Sequence, residues 1–220
     1  MAKIVSNKPL FIMLYGYPGA GKSYFARQFC EQVQAVHVQP DRIRAELFET
    51  PHYDKQENAV VDQLAEYMAG EFLAAGVSVV YDANAMRANQ RHRWRDMVRR
   101  AHVQPLLVWL QIDAETAFLR TSKRDRRRAD DRYARPLDRR AFDDIISNMQ
   151  NPAATEEYVV VSGKHLFNTQ LSAVMKRLGE LKIVGFGDAS SHMIKPGMVN
   201  LVPNPAAGRV DLSRRNIRIR

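Results

Sequence analysis

Gly16-Tyr17-Pro18-Gly19-Ala20-Gly21-Lys22-Ser23 fits the phosphate-binding loop pattern G-x-x-x-x-G-K-[ST] at every fixed position. The run before it, Leu10-Phe11-Ile12-Met13-Leu14-Tyr15, is continuously apolar and reads as a buried strand. After it, Phe25, Phe29 and Val33 recur at helical spacing, so the loop should open a helix. Glycines let the backbone curl around phosphate with no side chain in the way, while the free N–H groups and positive dipole end of the helix face the anion. In that arrangement Lys22 reaches the β- and γ-phosphates of a nucleoside triphosphate, and the Ser23 hydroxyl holds Mg²⁺. A simple glycine turn between core elements is the plainer reading, but it leaves the lysine, the serine and the agreement of both flanks unexplained.

Working outward, Ala35-Val36-His37-Val38 reads as a second strand, followed by Gln39-Pro40-Asp41 at a helix start. A long helix follows with Val61, Leu64, Ala65, Met68, Phe72 and Ala75 on one face, and Gly76 stops it. Val77 to Tyr81, Leu106 to Leu110 and Tyr158 to Val161 are three further strands. Trp94, Met97, Val98 and Ala101 give the intervening helix its apolar face, with Arg91, Arg93, Arg95 and Arg99 on the others. Asp113 and Asp138 cap two more helices, the second with Phe142, Ile145, Ile146 and Met149 inward. Leu171, Val174, Met175 and Leu178 mark the last. Strands alternating with helices predict an α/β fold with a mostly parallel sheet covered on both faces and a site at the carboxyl ends of its strands. Residues 1–182 form one domain in this reading; 183–220 are a basic tail punctuated by proline and glycine, either a linker or an edge strand at Ile217 to Arg220.

The formal charge of +9 draws phosphate-rich partners through a long-range field, without identifying them. It is concentrated between Arg120 and Arg140 and again between Arg209 and Arg220. No apolar run is long enough to span a bilayer, and the apolar stretch near the start leads into the glycine loop rather than a cleavage site. The single cysteine, Cys30, excludes an internal disulfide, and the six histidines lack metal-ligand spacing. A cytoplasmic protein is the expectation.

Three features carry chemistry beyond the loop. Asp41, just past a strand end, either accepts the proton of an attacking hydroxyl or only caps the following helix. Arg44 lies on the same side of the first turn, within reach of a substrate phosphate or carboxylate. Asp82 ends an apolar strand, where a carboxylate supports Mg²⁺ beside a phosphate loop, and Asn84 could address substrate or nucleotide. The arginine-rich stretch, about 120–140, has the composition of a lid that neutralises a moving phosphoryl group and excludes water, beyond what a solvated helix face needs.

Gly16 to Ser23, the Asp41-to-Arg44 pair, Asp82-Ala83-Asn84, Arg120-Thr121-Ser122-Lys123-Arg124 and Pro136-Leu137-Asp138 together resemble the kinase domain of polynucleotide 5′-hydroxyl kinases. The same skeleton is similar to that of zeta toxins, seryl-tRNA kinases and small-molecule kinases. The resemblance spans roughly residues 9–182 and implies a P-loop kinase core with a five-stranded parallel sheet. It implies ATP and Mg²⁺ as cofactors, with Gly16, Tyr17, Pro18, Gly19, Ala20, Gly21, Lys22, Ser23 and Arg120 on the nucleotide. It further implies Lys22 and Arg124 on the transferred phosphoryl group, Asp41 as general base, and Arg44, Asp82 and Asn84 on the acceptor. Arg120, Arg126 and Arg127 are near enough to replace Arg124 in that role.

The expected activity is transfer of the ATP γ-phosphoryl group to a hydroxyl, with a nucleic-acid 5′ end or another phosphate-bearing molecule as acceptor. A kinase acting on a sugar, nucleoside or antibiotic is the first alternative. An ATP-gated RNA-binding or regulatory protein is the second, although a pure switch has no need of an acceptor-side base.

Overall fold

The computed structural model describes residues 3–184, apart from 101, 102, 126 and 128–130. Its elements run β1 (Leu10–Tyr15), α1 (Lys22–Gln32), β2 (Ala35–Val38), α2 (Pro40–Leu47), α3 (Lys55–Ala74), β3 (Ser78–Asn84), α4 (Ala88–Arg100), β4 (Gln104–Gln111), α5 (Ala114–Ser122), α6 (Arg139–Ser147), β5 (Tyr158–Ser162) and α7 (Phe167–Glu180). The five strands form one sheet in the order β2-β3-β1-β4-β5, and every pairing is parallel. The expected fold class is therefore met. The basic tail from residue 185 onward, with its expected edge strand, lies outside the described residues, as do Arg126 and Arg128 of the lid.

β1 is the central strand and is buried along its whole length, as its unbroken apolar run requires. Leu10, Ile12 and Leu14 face a core built with Phe25 and Phe29 of α1 and with Val174 and Leu178 of α7. Phe11, Met13 and Tyr15 face the other core, with Trp94 and Val98 of α4 and Ala65 and Ala69 of α3. Each fully buried phenylalanine of this kind contributes roughly 1.5–3 kcal/mol. Ile183 and Val184, just after α7, are buried in the same core as that helix.

Two helices sit differently from the periodic reading. On α3 the buried row is Val61, Ala65, Ala69 and Leu73, rotated from the expected face; Leu64, Met68 and Phe72 are only partly buried and Ala75 is exposed. Small side chains at Ala65 and Ala69 let that helix lie close to the sheet. On α4, Arg91 is not a surface residue: it is 0% exposed. Its guanidinium donates to both carboxylate oxygens of Glu156 at 2.8 and 3.0 Å and to the carbonyls of Ala85, Gln150 and Asn151. It also stacks over the Tyr15 ring at 5.5 Å. One buried arginine thus joins the ends of β1 and β3 to the segment that leads into β5, and the many hydrogen bonds compensate the lost hydration of its charge.

Candidate active site

The loop leaves the carboxyl end of β1, between β3 and β4. Gly21 adopts φ 95° and ends the loop; no side chain caps α1. The first helical bond runs from Phe25 N to Gly21 O at 2.9 Å, so the earlier N–H groups remain at the helix end for an incoming anion. The other two loop glycines, Gly16 at φ 151° and Gly19 at φ 84°, combine positive φ with crowding. A Cβ on Gly16 would lie 2.5 Å from the Leu110 carbonyl oxygen, and one on Gly19 would lie 2.2 Å from that of Ala117. Gly163, in the β5–α7 turn, is constrained in the same way by the Ala20 carbonyl at 2.6 Å.

Lys22 folds back over the loop, its Nζ donating to the carbonyls of Gly16 at 2.8 Å and Tyr17 at 2.9 Å. Burial is the main force that lowers its pKa, to about 8, with Arg124 adding repulsion and Asp82 and Asp41 opposing it. Asp41 sits in the first turn of α2 and is exposed to solvent, with Asp82, Arg44, Arg124 and Lys22 near enough to act on its carboxylate. Desolvation and then the charge of Asp82 push its pKa up, against the pull of Arg44, Arg124 and Lys22. Its role as an N-terminal cap falls instead to Gln39, whose side chain makes no capping bond.

Asp82 is buried on β3, 8% exposed, and its Oδ2 lies 3.0 Å from His37 Nε2 on β2. The Asn84 Oδ1 accepts from Gly16 N at 3.4 Å, tying the end of β3 to the entrance of the loop. From the lid side, Arg124 is half-buried; its Nη1 donates to the Arg135 carbonyl at 3.0 Å, and Asp131 lies 3.8 Å from its Nε. Desolvation lowers its pKa, while the charges of Asp131 and Asp41 oppose that shift. Arg120 lies on the other side, its Nη1 donating to the Gly163 carbonyl at 2.9 Å.

Asp41, Asp82 and Arg124 are thus near enough to act on Lys22, while Asn84 reaches Gly16 and Arg120 reaches Gly163; Arg44 points elsewhere. Its guanidinium is paired with Glu57, donates to Asn58 Oδ1 at 2.7 Å and stacks over Tyr53 at 4.8 Å. It is buried and already partnered, rather than extended as an open fork. Arg135 of the lid stacks over the same Tyr53 ring at 4.7 Å, and Tyr53 holds a left-handed backbone with φ 58°. Of the other lid arginines, Arg139 is taken by Glu115 and Asp143. Sequence reading missed His37, Tyr53, Glu57, Glu156 and Gly163, because each acts through a neighbour distant in sequence.

Oxygen donors suit Mg²⁺: the Ser23 hydroxyl stands in the first turn of α1 and the carboxylates of Asp41 and Asp82 flank the cleft. Among the described residues no group of three or more His, Cys, Asp and Glu converges as a metal cage. No helix of the described residues is long and apolar enough to cross a membrane.

The fold is shared with solved structures at low identity. A Chloroflexus aurantiacus protein named for an inferred kinase activity aligns at 15% identity over 79% of this chain and 97% of its own, with a TM-score of 0.62. Kti12 of Chaetomium thermophilum, solved with ADP-AlF3, aligns at 14% identity over 80% and 99%, TM-score 0.60. The Mycobacterium tuberculosis APS kinase CysC, solved with AMPPNP and APS, aligns at 18% over 78% and 98%, TM-score 0.57. No curated protein matches in sequence. These likenesses establish an α/β P-loop kinase-like fold. The profile described as AAA domain (AAA_33) matches residues 11–152, from β1 through the lid, and the chain belongs to that family.

Proposed function

We propose that this protein is an ATP-dependent phosphotransferase that moves the γ-phosphoryl group to a hydroxyl, with a nucleic-acid 5′-hydroxyl end as the favoured acceptor. The observation that carries the reading is the meeting of Lys22, Asp41, Asp82 and Arg124 in one cleft at the helix N-terminus, each close enough to bias another's ionisation. Gly16 to Ser23 and Arg120 bind the nucleotide in this reading, and Lys22 exchanges two loop carbonyls for phosphate oxygens. Asp41, pushed above the ordinary aspartate range, takes the proton of the attacking hydroxyl. Arg124 neutralises charge on the transferring group. Ser23 and Asp82 are the residues that would hold Mg²⁺, which would supply positive charge to offset that of the phosphates. Asn84 and Asp82 line the acceptor side, and Arg44 serves that side by bracing α2 against Glu57 and Tyr53.

The kinase domain in this reading runs through Ile183 and Val184, which lie in its core and move the boundary slightly past the expected 182, and the basic remainder of the chain contacts an acceptor's backbone. A γ-phosphate transfer screen across 5′-hydroxyl DNA, 5′-hydroxyl RNA, tRNA and small alcohols tests this reading; no transfer to any of them refutes it. A small-molecule acceptor is the second reading, favoured by the fold's likeness to APS kinase and to a Sinorhizobium meliloti gluconokinase at 17% identity. Salt separates the two. Affinity for a single strand falls with a log–log slope of about −0.7 per phosphate contacted, and truncation at residue 185 flattens it. A small acceptor gives a shallow response in both forms.

A further inference from the structure

Tyr53, in the loop between α2 and α3, holds its left-handed backbone at φ 58°, a conformation that a bulky side chain seldom adopts. Three hydrogen bonds maintain it. The buried Glu57 carboxylate accepts from the N–H groups of His52 at 2.7 Å and of Tyr53 at 3.2 Å, and Asn58 Nδ2 donates to the Tyr53 carbonyl at 3.1 Å. Glu57 also pairs with Arg44, whose guanidinium lies over the Tyr53 ring at 4.8 Å. The half-buried ring is thus fixed by α2 and α3, independently of the lid.

The lid uses that ring. Arg135 lies over it at 4.7 Å, whereas Arg139, four residues on, is held by the carboxylates of Glu115 and Asp143. The negative face of an aromatic ring attracts a guanidinium, and the Glu57 carboxylate offsets the repulsion that the Arg44 charge would otherwise bring. The Arg135 carbonyl in turn accepts from Arg124 Nη1 at 3.0 Å. One run of contacts therefore leads from α2 and α3 through Tyr53 and Arg135 to Arg124, whose charge acts on Lys22 and Asp41.

We propose that Tyr53 is a positioning residue for Arg124: by seating Arg135 it sets where the lid presents that carbonyl, and so where the Arg124 guanidinium stands. The assignment rests on the phosphoryl-transfer reading of the cleft. Tyr53 itself need touch neither nucleotide nor acceptor.

Two readouts on the full-length protein separate the assignment from that reading. Trypsin cleavage after Lys123 and Arg127 reports the lid and needs no turnover. Tyr53→Ala should speed that cleavage about three- to tenfold, the size of one cation–π contact, and so should Arg135→Gln, which leaves Tyr53 and Glu57 untouched. Tyr53→Phe, which keeps the ring, should restore the native rate. Maximal transfer to the acceptor found by the screen should fall by a similar factor in the first two variants, with the Michaelis constant for ATP unchanged. In an Arg124→Ala background Tyr53→Ala should slow transfer no further, which a general loss of stability would not reproduce. Unchanged lid cleavage in both variants overturns the assignment whatever the activity. Faster cleavage with undiminished transfer, or losses that multiply in the Arg124→Ala background, overturn it too and leave the transfer reading standing. If the native protein transfers phosphate to no acceptor, that reading has failed and the positioning role with it, while the cleavage rates still report whether Tyr53 seats the lid.

Discussion

The His37 imidazole, on β2, makes a 3.0 Å contact with Asp82 on β3, so one carboxylate oxygen is held and the other is left for the cleft. Outer partners of this kind typically change metal affinity or activity about 10- to 100-fold when removed. His37→Ala should raise the Mg²⁺ concentration needed for half-maximal transfer, and His37→Gln, which retains an N–H donor, should restore much of it. An unchanged Mg²⁺ dependence in His37→Ala would show that the pair only braces the sheet edge.

Lys22 gives two opposite pH trends. Its pKa of about 8 means the free protein loses the phosphate-facing charge above that pH, so tripolyphosphate affinity is level below it and falls by up to about tenfold per unit above. Stability moves the other way. Between about 8 and the ordinary 10.5 the unfolded chain binds the proton that the folded one has released, so unfolding becomes harder as pH rises through that window. Comparing native protein with Lys22→Met by denaturant titration isolates the term; parallel pH profiles would refute the buried-lysine account.

Asp41 must be ionised to accept a proton, and its pKa lies above the ordinary 3.8. The acid limb of kcat/KM should therefore fall at higher pH than a solvated aspartate would give. Asp41→Asn should lower turnover about 10²- to 10⁴-fold with ATP affinity nearly intact. Loss of ATP binding with turnover preserved at saturation would move Asp41 into the nucleotide site.

Arg124, which contacts Arg135 and Asp131, is near enough for its charge to act on Lys22 and Asp41, whereas Arg120 donates to the Gly163 carbonyl. Arg124→Ala should depress maximal transfer about 10³-fold or more, and Arg120→Ala should act mainly on the Michaelis constant for ATP. The reverse pattern in single-turnover measurements would exchange the two roles.

Arg91→Ala leaves Glu156 buried beside a void and strips three carbonyls of their donor, at a cost of about 3–5 kcal/mol in stability. Glu156→Gln, which keeps one hydrogen-bonding acceptor, should cost less. Urea unfolding midpoints for the two variants provide the check; equal small shifts would mean that the joint at the end of β1 relaxes freely.

Local signals made most of this legible. An unbroken apolar run gave β1 its burial, and Asp113 and Asp138 cap α5 and α6 through the Thr116 and Ala141 N–H groups, as their positions predict. Arg91 was misread: three residues before Trp94 and seven before Val98 it shares their face of α4, but its charge argued for solvent, and only the distant Glu156 explains its burial. His37 and Asp82 required knowing that β2 pairs with β3, where Val38 lies opposite Tyr81. Arg44 was placed on the right segment, but Glu57 and Tyr53, a turn and a loop later, determine where its charge points.

The close approaches at Gly19 and Gly163 hold the phosphate loop from two directions, through the carbonyls of Ala117 and Ala20. A loop wedged in this way has its shape before any ligand arrives, so the entropy of ordering it belongs to folding instead of to binding. Nucleotide affinity in this protein should accordingly respond to changes at these two turns even though neither glycine has a side chain to offer the ligand.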